Sequence, residues 1–181
     1  MMSTQSLFLV GLKHVGKSTL ASIAARTLNM TVLDLDTIIV ELSEGCTGPR
    51  EVYRRYGKDE FMRREALATD RAVAIATEED VIIASGGGIA DNPGALDSLR
   101  SSGLPVLYLF EQPLVLYDRV RAGGVPAFLD PERPREHFLE LAESRDRAYR
   151  SIATAIVDVR ERSISEAGAQ LIEDIRRINV R

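Results

Sequence analysis

The chain is poor in several features that mark specialised protein classes. Its 181 residues contain a single cysteine, Cys46. One cysteine excludes an internal disulfide framework and fits a reducing compartment, so we expect a cytoplasmic protein in which Cys46 is an ordinary thiol. No apolar run is long enough to span a membrane, and the N-terminal run lacks the charged segment that begins a signal peptide. The sequence also lacks internal repeats and low-complexity segments.

Basic residues are too few for a surface dedicated to polyanions. The formal net charge is −4 at pH 7, from 23 Lys and Arg against 27 Asp and Glu. This balance argues against nucleic acid or an anionic membrane as a partner, so any affinity for phosphate must be local. Hydrophobic residues at 45% and charged residues at 28% suit one soluble domain with a sizeable core. Nothing suggests a long hydrophobic interface helix, and we expect a monomer.

The clearest functional signal is a glycine-bounded segment near the N-terminus. Residues 11–19 read GLKHVGKST and fit the phosphate-binding pattern G-x-x-x-x-G-K-[ST]. A strand-like run precedes this segment and an amphipathic, helix-like run follows it, which favours a nucleotide site over a chance match in an ordinary turn. Backbone N–H groups and the positive end of the helix dipole would hold a polyphosphate there. We predict that ATP is bound by Gly11, His14, Val15, Gly16, Lys17, Ser18 and Thr19.

The side chains of this P-loop have distinct expected roles. Lys17 would reach the β- and γ-phosphates, and the Ser18 hydroxyl would ligate Mg²⁺. His14 stands where many such loops carry a small residue, so one loop position must accept a bulky side chain. Lys13 and His14 either extend toward the nucleotide or are solvated loop residues, and we favour the second.

Strand-like and helix-like segments alternate along the rest of the chain. Strands are predicted at residues 7–10, 31–34, 81–84, 105–110 and 155–159, and helices at 59–77, 135–150 and 165–176. Apolar strands separated by helices predict an α/β fold, a three-layer parallel five-stranded sheet with helices on both faces. Two segments look like insertions in this single domain: a helical substrate lobe at about 37–77, and a Gly- and Pro-rich stretch at about 122–134. The second is typical of a lid, with a plain surface turn as the alternative.

Carboxylates and glycines follow two of the predicted strands. Asp34 and Asp36 point to the same side of an extended segment, so one would serve Mg²⁺, directly or through water, and the other an acceptor hydroxyl. Either could instead cap the following helix. Three consecutive glycines, Gly86–Gly88, cost conformational entropy on folding, so their presence needs an explanation. The two candidates are positive φ angles and close approach of a ligand to the backbone, and we favour the second. In parallel sheets ligands gather beyond the carboxyl ends of the strands, where these groups and the P-loop converge.

Taken together and in order, these motifs resemble those of the shikimate kinase family, which has the P-loop nucleoside monophosphate kinase-like fold. The resemblance covers almost the whole chain. Besides the P-loop and the glycine triplet, it rests on Asp34–Ile39, Phe61–Glu65, Val125–Leu129 and Arg145–Tyr149.

The resemblance implies transfer of the ATP γ-phosphoryl group to a ring hydroxyl of a small carboxylated polyol, namely shikimate or a related polyol. Lys17 would neutralise the transferring group, and Ser18 and Asp34 would organise Mg²⁺. Asp36 would bind substrate hydroxyls and act as, or help to orient, the catalytic base. Further roles are implied outside the P-loop: substrate binding by Gly87 and Arg145, and lining of the adenine site by Arg162 and by Arg119 or Arg121.

Two departures from the family pattern concern this chemistry. The arginine expected to grip the substrate carboxylate falls on Met62, and its neighbour Arg63, our candidate replacement, is roughly 100° around a helix. The arginine expected in the lid falls on Pro126, which leaves Arg133 or Arg135 as candidates. An acceptor with another carboxylate placement, such as a related polyol or sugar acid, is one alternative. A non-catalytic module that binds ATP and signals to a partner is the other.

Overall fold

A computed structural model of the chain describes residues 5–122 and 129–179. Along the chain the elements are β1 (Leu7–Val10), α1 (Lys17–Leu28), β2 (Thr31–Asp34), α2 (Leu35–Glu41), α3 (Pro49–Ile75), β3 (Val81–Ala84), α4 (Pro93–Ser102), β4 (Val106–Phe110), α5 (Pro113–Ala122), α6 (Pro134–Ile152), β5 (Ala155–Asp158) and α7 (Ile164–Asn179). A short 3-10 turn, Ile89–Asp91, precedes α4. None of the helices in the described ranges combines the length and apolarity needed to cross a bilayer.

The five strands form one parallel sheet in the order β2-β3-β1-β4-β5. Strands β1 and β3 are buried along their whole length, as expected for strands covered on both faces. Right-handed crossovers place α1 on one face with α7, which packs against it, and α2 to α6 on the other. This confirms the fold predicted from the sequence.

Helix α3 is longer than the sequence predicted. The predicted start was residue 59, but the helix begins at Pro49, where a proline suits the first helical turn. Gly57 interrupts it with φ 80° and ψ 176°, a conformation that glycine adopts and other residues avoid. The sequence pattern therefore identified only the second segment. Helix α4 was not among the predicted elements either.

Candidate active site

A cleft of about 1590 Å³ lies beyond the carboxyl ends of β1, β2 and β3. The P-loop, the start of α2, the glycine triplet and one side of α6 line it, together with α3. The three motifs predicted to converge therefore do so, as expected at the strand-order reversal of a parallel sheet. The volume is ample for a nucleotide and a small acceptor side by side.

Unusual backbone conformations shape the P-loop. Gly16 precedes α1 with φ 101°, and Gly11 has φ 152°. A Cβ at Gly11 would lie 2.8 Å from the Leu109 carbonyl oxygen, so the loop passes too close to β4 for any side chain. His14 has φ 65° and an exposed side chain, which is how this position accommodates its bulk. Its carbonyl oxygen accepts a hydrogen bond from Arg119 at 3.2 Å, so a cation from α5 fixes the loop.

Lys17 lies buried at the floor of the loop. Its ammonium donates to the carbonyl oxygens of Gly11 at 2.8 Å and Leu12 at 3.0 Å. Burial lowers the pKa of Lys17 from 10.5 to about 8, against the opposing charges of Asp36 and Asp34. A buried cation with only neutral acceptors is poised to exchange them for phosphate oxygens.

Oxygen donors suited to Mg²⁺ lie beside the P-loop. Ser18 donates its hydroxyl to a carboxylate oxygen of Asp34 at 3.2 Å. The other oxygen of Asp34 accepts the backbone N–H of Asp36 at 2.9 Å, so Asp34 caps α2 and the capping role weighed for Asp36 is wrong. Ser85 lines the cleft nearby with a buried hydroxyl for which the described residues offer no hydrogen-bond partner.

This donor set fits a magnesium ion held mainly by a nucleotide. In the described ranges no three acidic, histidine or cysteine side chains cluster as a metal cage. Mg²⁺ commonly takes one or two protein oxygens, keeps several waters and binds substrate phosphates, so a cage is not needed. The unpartnered Ser85 hydroxyl is an available polar contact for the hydrated ion or for phosphate.

Asp36 is a partly buried carboxylate aimed at the glycine triplet. Its Oδ1 would lie 3.1 Å from a Cβ at Gly86. Burial, followed by the charge of Asp34, raises the pKa of Asp36, and Lys17 and Lys13 oppose the rise. A carboxylate with a raised pKa is a better proton acceptor for a hydroxyl than an exposed one.

Glu65 and Asn92 form a polar pair at the same place, to which sequence reasoning assigned no role. Glu65 is 3% exposed, and burial raises its pKa despite the hydrogen bond that Asn92 donates to it at 2.9 Å. Asn92 also caps α4 through the N–H of Ala95 and donates to the carbonyl oxygen of Met62. The signal for Glu65 was present, since it ends the Phe61–Glu65 motif, but the capping motif of Asn92 required knowledge of α4.

Protein neighbours crowd the first two glycines of the triplet, whereas a Cβ at Gly88 would meet only an ordinary contact at 3.7 Å. None of the three glycines has positive φ, so that explanation is wrong. A Cβ at Gly87 would lie 2.7 Å from the backbone nitrogen of Lys13, closer than real contacts allow. The carbonyl oxygen of Gly87 accepts hydrogen bonds from Arg145 at 3.2 Å and the Tyr149 hydroxyl at 3.1 Å. The triplet therefore joins the P-loop to α6, and the predicted contact of Gly87 with substrate stays a prediction.

Arg145 reaches the cleft from α6. Two of its nitrogens donate to the same oxygen of Asp91, at 2.7 and 3.1 Å, and its side chain is 17% exposed. It passes within 3.7 Å of a Cβ built on Gly88. Asp36 at the first glycine and Arg145 at the third thus border one short stretch of backbone.

Four arginines predicted to bind substrate or line the adenine site lie outside the cleft lining, namely Arg63, Arg119, Arg121 and Arg162. Arg63 makes a two-nitrogen contact with Glu60 at 2.7 Å on each nitrogen and is exposed, and its predicted contact with substrate stays a prediction. Arg121 and Arg162 are exposed and do not line the cleft, and their adenine contacts stay predictions. Pro126, the altered lid position, lies outside the described residues.

Cationic side chains that the sequence analysis did not select take part in the lining. They come from α3 and are Arg50, Arg54 and Lys58, and Lys13 of the P-loop, for which two positions were left open, joins them. Burial, followed by the charge of Arg50, lowers the pKa of Lys13. Burial also lowers the pKa of His14, followed by the neighbouring cations Lys13, Lys17, Arg50 and Arg119.

The model of the family described as shikimate kinase matches residues 13–176. The chain belongs to the shikimate kinase family. Among named members of the family, the shikimate kinase of Dechloromonas aromatica is 34% identical over 85% of this chain and 81% of its own length. That of a Marinomonas species is 29% identical over 98% of this chain and 95% of its own.

Solved structures agree with the family in fold. A shikimate kinase from Acinetobacter baumannii, solved in complex with shikimate, superposes with a TM-score of 0.83 at 22% identity, over 99% of this chain and 97% of the other. A gluconokinase from Sinorhizobium meliloti superposes with a TM-score of 0.62 at 18% identity, over 98% and 95%. At these identities the likeness concerns the fold alone. Membership of the shikimate kinase family makes the chain a phosphotransferase with an alcohol as acceptor.

Proposed function

We propose that this protein transfers the γ-phosphoryl group of ATP to a ring hydroxyl of shikimate, the 3-hydroxyl. The observation that carries the proposal is the arrangement around Gly86–Gly88. Asp36 borders its first glycine, Arg145 borders its third, and the P-loop backbone packs on the one between. An acceptor lying on this backbone would present a hydroxyl to Asp36 and an acidic group to the Arg145 side.

The P-loop supplies the nucleotide half of the reaction. The amides of residues 11–19 and Lys17 hold the phosphates, and Lys17 leaves its two carbonyl partners to do so. Ser18 and Asp34 would hold Mg²⁺, whose positive charge would offset the negative charge that develops on the phosphates. Because little covalent chemistry falls to the protein, rate acceleration comes from positioning and electrostatics.

Asp36 and Arg145 supply the acceptor half. Asp36 accepts a hydrogen bond from the attacking hydroxyl, and its raised pKa allows it to take the proton as the new P–O bond forms. Arg145 already donates two hydrogen bonds to a carboxylate, that of Asp91, and this contact supports a role for its guanidinium in binding such a group. A substrate carboxylate would compete for the same donors.

The test is Mg²⁺-dependent release of ADP from ATP with shikimate as acceptor. We expect shikimate to stimulate release, with phosphorylated shikimate identified by mass spectrometry. Stimulation only by other polyols or sugar acids would assign the enzyme to that acceptor class. Calorimetric binding of ATP without turnover for any acceptor would identify a non-catalytic ATP-binding module instead.

The setting of the enzyme is part of the proposal. We propose a single-domain monomer acting in the cytoplasm, with the helical segment of α2 and α3 as its substrate lobe and residues 122–134 as its lid. The buried thiol of Cys46 supports a reducing compartment. Sedimentation velocity measures the oligomeric state, and a dimer at micromolar concentration would contradict the monomer.

A further inference from the structure

The arginines of α3 fall into two groups according to the direction they face. Those away from the cleft are paired: Arg63 and Arg64 with Glu60, Arg71 with Glu41, and Arg55 with the carbonyl oxygen of Glu44. Those in the cleft lining are not. Arg50, Arg54 and Lys58, which we name the cationic row, form no ion pair within 4.0 Å among the described residues.

The row extends along the cleft from the P-loop toward Met62. Arg50 and Arg54 are one helical turn apart in the segment before Gly57, and Lys58 and Met62 are one turn apart in the segment after it. All four line the cleft although the helix is broken between the pairs. Arg50 is the end nearest the P-loop, since its charge lowers the pKa of Lys13 and His14.

Unpaired cations in a cleft indicate an anionic ligand. The acceptor half also holds acidic groups, Asp36, Glu65 and Asp91, and Arg145 is engaged by the last of these. Arg145 therefore offers a ligand only part of its charge until Asp91 is displaced. Met62 stands where the family resemblance implies an arginine and offers no charge.

We propose that Arg54 and Lys58, at the Met62 end of the cationic row, bind the acidic group of the acceptor. This inference rests on the proposed function. The acidic group lies between the row and Arg145, held from the helical lobe on one side and from α6 on the other. The transferring phosphoryl group is a second anion that a cation in this cleft could meet. Arg50 is the row member closest to that group, whereas Arg54 follows one helical turn on, at about 6 Å, and Lys58 lies beyond the break at Gly57.

The test compares the Arg54→Gln/Lys58→Gln double variant with an Arg63→Gln/Arg71→Gln control, which removes two cations from the same helix outside the cleft. Steady-state kinetics are measured with shikimate and with its uncharged methyl ester. We expect the KM for shikimate to rise about ten- to a hundredfold in the row variant. The kcat and the KM for ATP should stay within about twofold, and the control should match the wild type. The row variant should also lose most of the preference for shikimate over the ester.

A rescue experiment separates charge from structural damage. Adding Met62→Arg to the row variant should restore most of the lost affinity for shikimate, because it returns a cation to the same face of α3. An unchanged KM for shikimate in the row variant would overturn the inference and leave the proposed function intact. A fall in kcat alone would assign the row to the transferring phosphoryl group and also overturn it. Absence of shikimate turnover in the wild type would instead refute the proposed function, and this inference with it.

Discussion

Lys17→Met tests the electrostatics of the P-loop through stability. Because burial lowers the pKa of Lys17 from 10.5 to about 8, the unfolded chain holds this proton more tightly than the folded protein. Between pH 8 and 10.5 the unfolded state binds more protons, so the stability of the wild type rises with pH in that window. Below pH 8 the lysine is charged in both states and its destabilising effect is at full size.

The magnitude follows from the size of the fall in pKa. The change from 10.5 to about 8 corresponds to ~3 kcal/mol, at ~1.4 kcal/mol for each pKa unit. The methionine variant lacks this titration. The unfolding free energy of the wild type, minus that of the variant, should therefore increase by ~3 kcal/mol from pH 7 to above pH 10. The hydrogen bonds of Lys17 to Gly11 and Leu12 set the absolute difference in unfolding free energy between the two proteins. The lowered pKa of Lys17 sets how this difference changes with pH.

Urea denaturation followed by circular dichroism, at intervals from pH 7 to pH 10.5, measures both proteins. Taking the difference between them cancels the titration of groups that they share. A difference that stays flat from pH 8 to 10 would show that Lys17 is solvated without a nucleotide, and would refute the reasoning. In parallel, Mg²⁺ and ADP should raise the urea midpoint of unfolding of the wild type. They should leave that of the variant unchanged, since the variant lacks the phosphate-binding charge.

Three further predictions concern the acceptor side of the cleft. Asp36→Asn should retain calorimetric ATP binding yet lose about 10²-fold or more in kcat. In the wild type, kcat/KM for the acceptor should fall as acid protonates Asp36, and because the pKa of Asp36 is raised, this fall should begin at a higher pH than for an ordinary aspartate. Gly87→Ala should weaken ATP binding, because its Cβ would lie 2.7 Å from the Lys13 nitrogen, whereas Gly94→Ala, with 3.4 Å to its nearest neighbour, should bind normally. Asn92→Ala should lower the unfolding free energy by about 1–3 kcal/mol in urea denaturation, because buried Glu65 loses its donor; equal stability would show that water replaces it.

The elements that depend on local sequence were predictable. Strand β1, the P-loop and α1 were recognised because an apolar run, a glycine pattern and a helical period follow one another directly. The parallel sheet followed from the alternation of strands and helices. Membership of the family followed from the order of several motifs, each of them weak alone.

Features that depend on contacts between distant segments were not predictable. Arg54 and Lys58 looked like ordinary solvated cations, because only the packing of α3 in the sheet's helical layer decides which of its sides meets the cleft. The reason for Gly87 required the position of Lys13, more than seventy residues earlier.

The break at Gly57 lets one peptide unit set the relative orientation of the two segments of α3. Its combination of φ 80° and ψ 176° belongs to a region that is essentially restricted to glycine. A residue with a side chain would favour continuous helical geometry here, which would change the orientation of Arg50 and Arg54 relative to Lys58. A substitution at this position would therefore re-aim two cations of the cleft lining without altering any member of the cationic row.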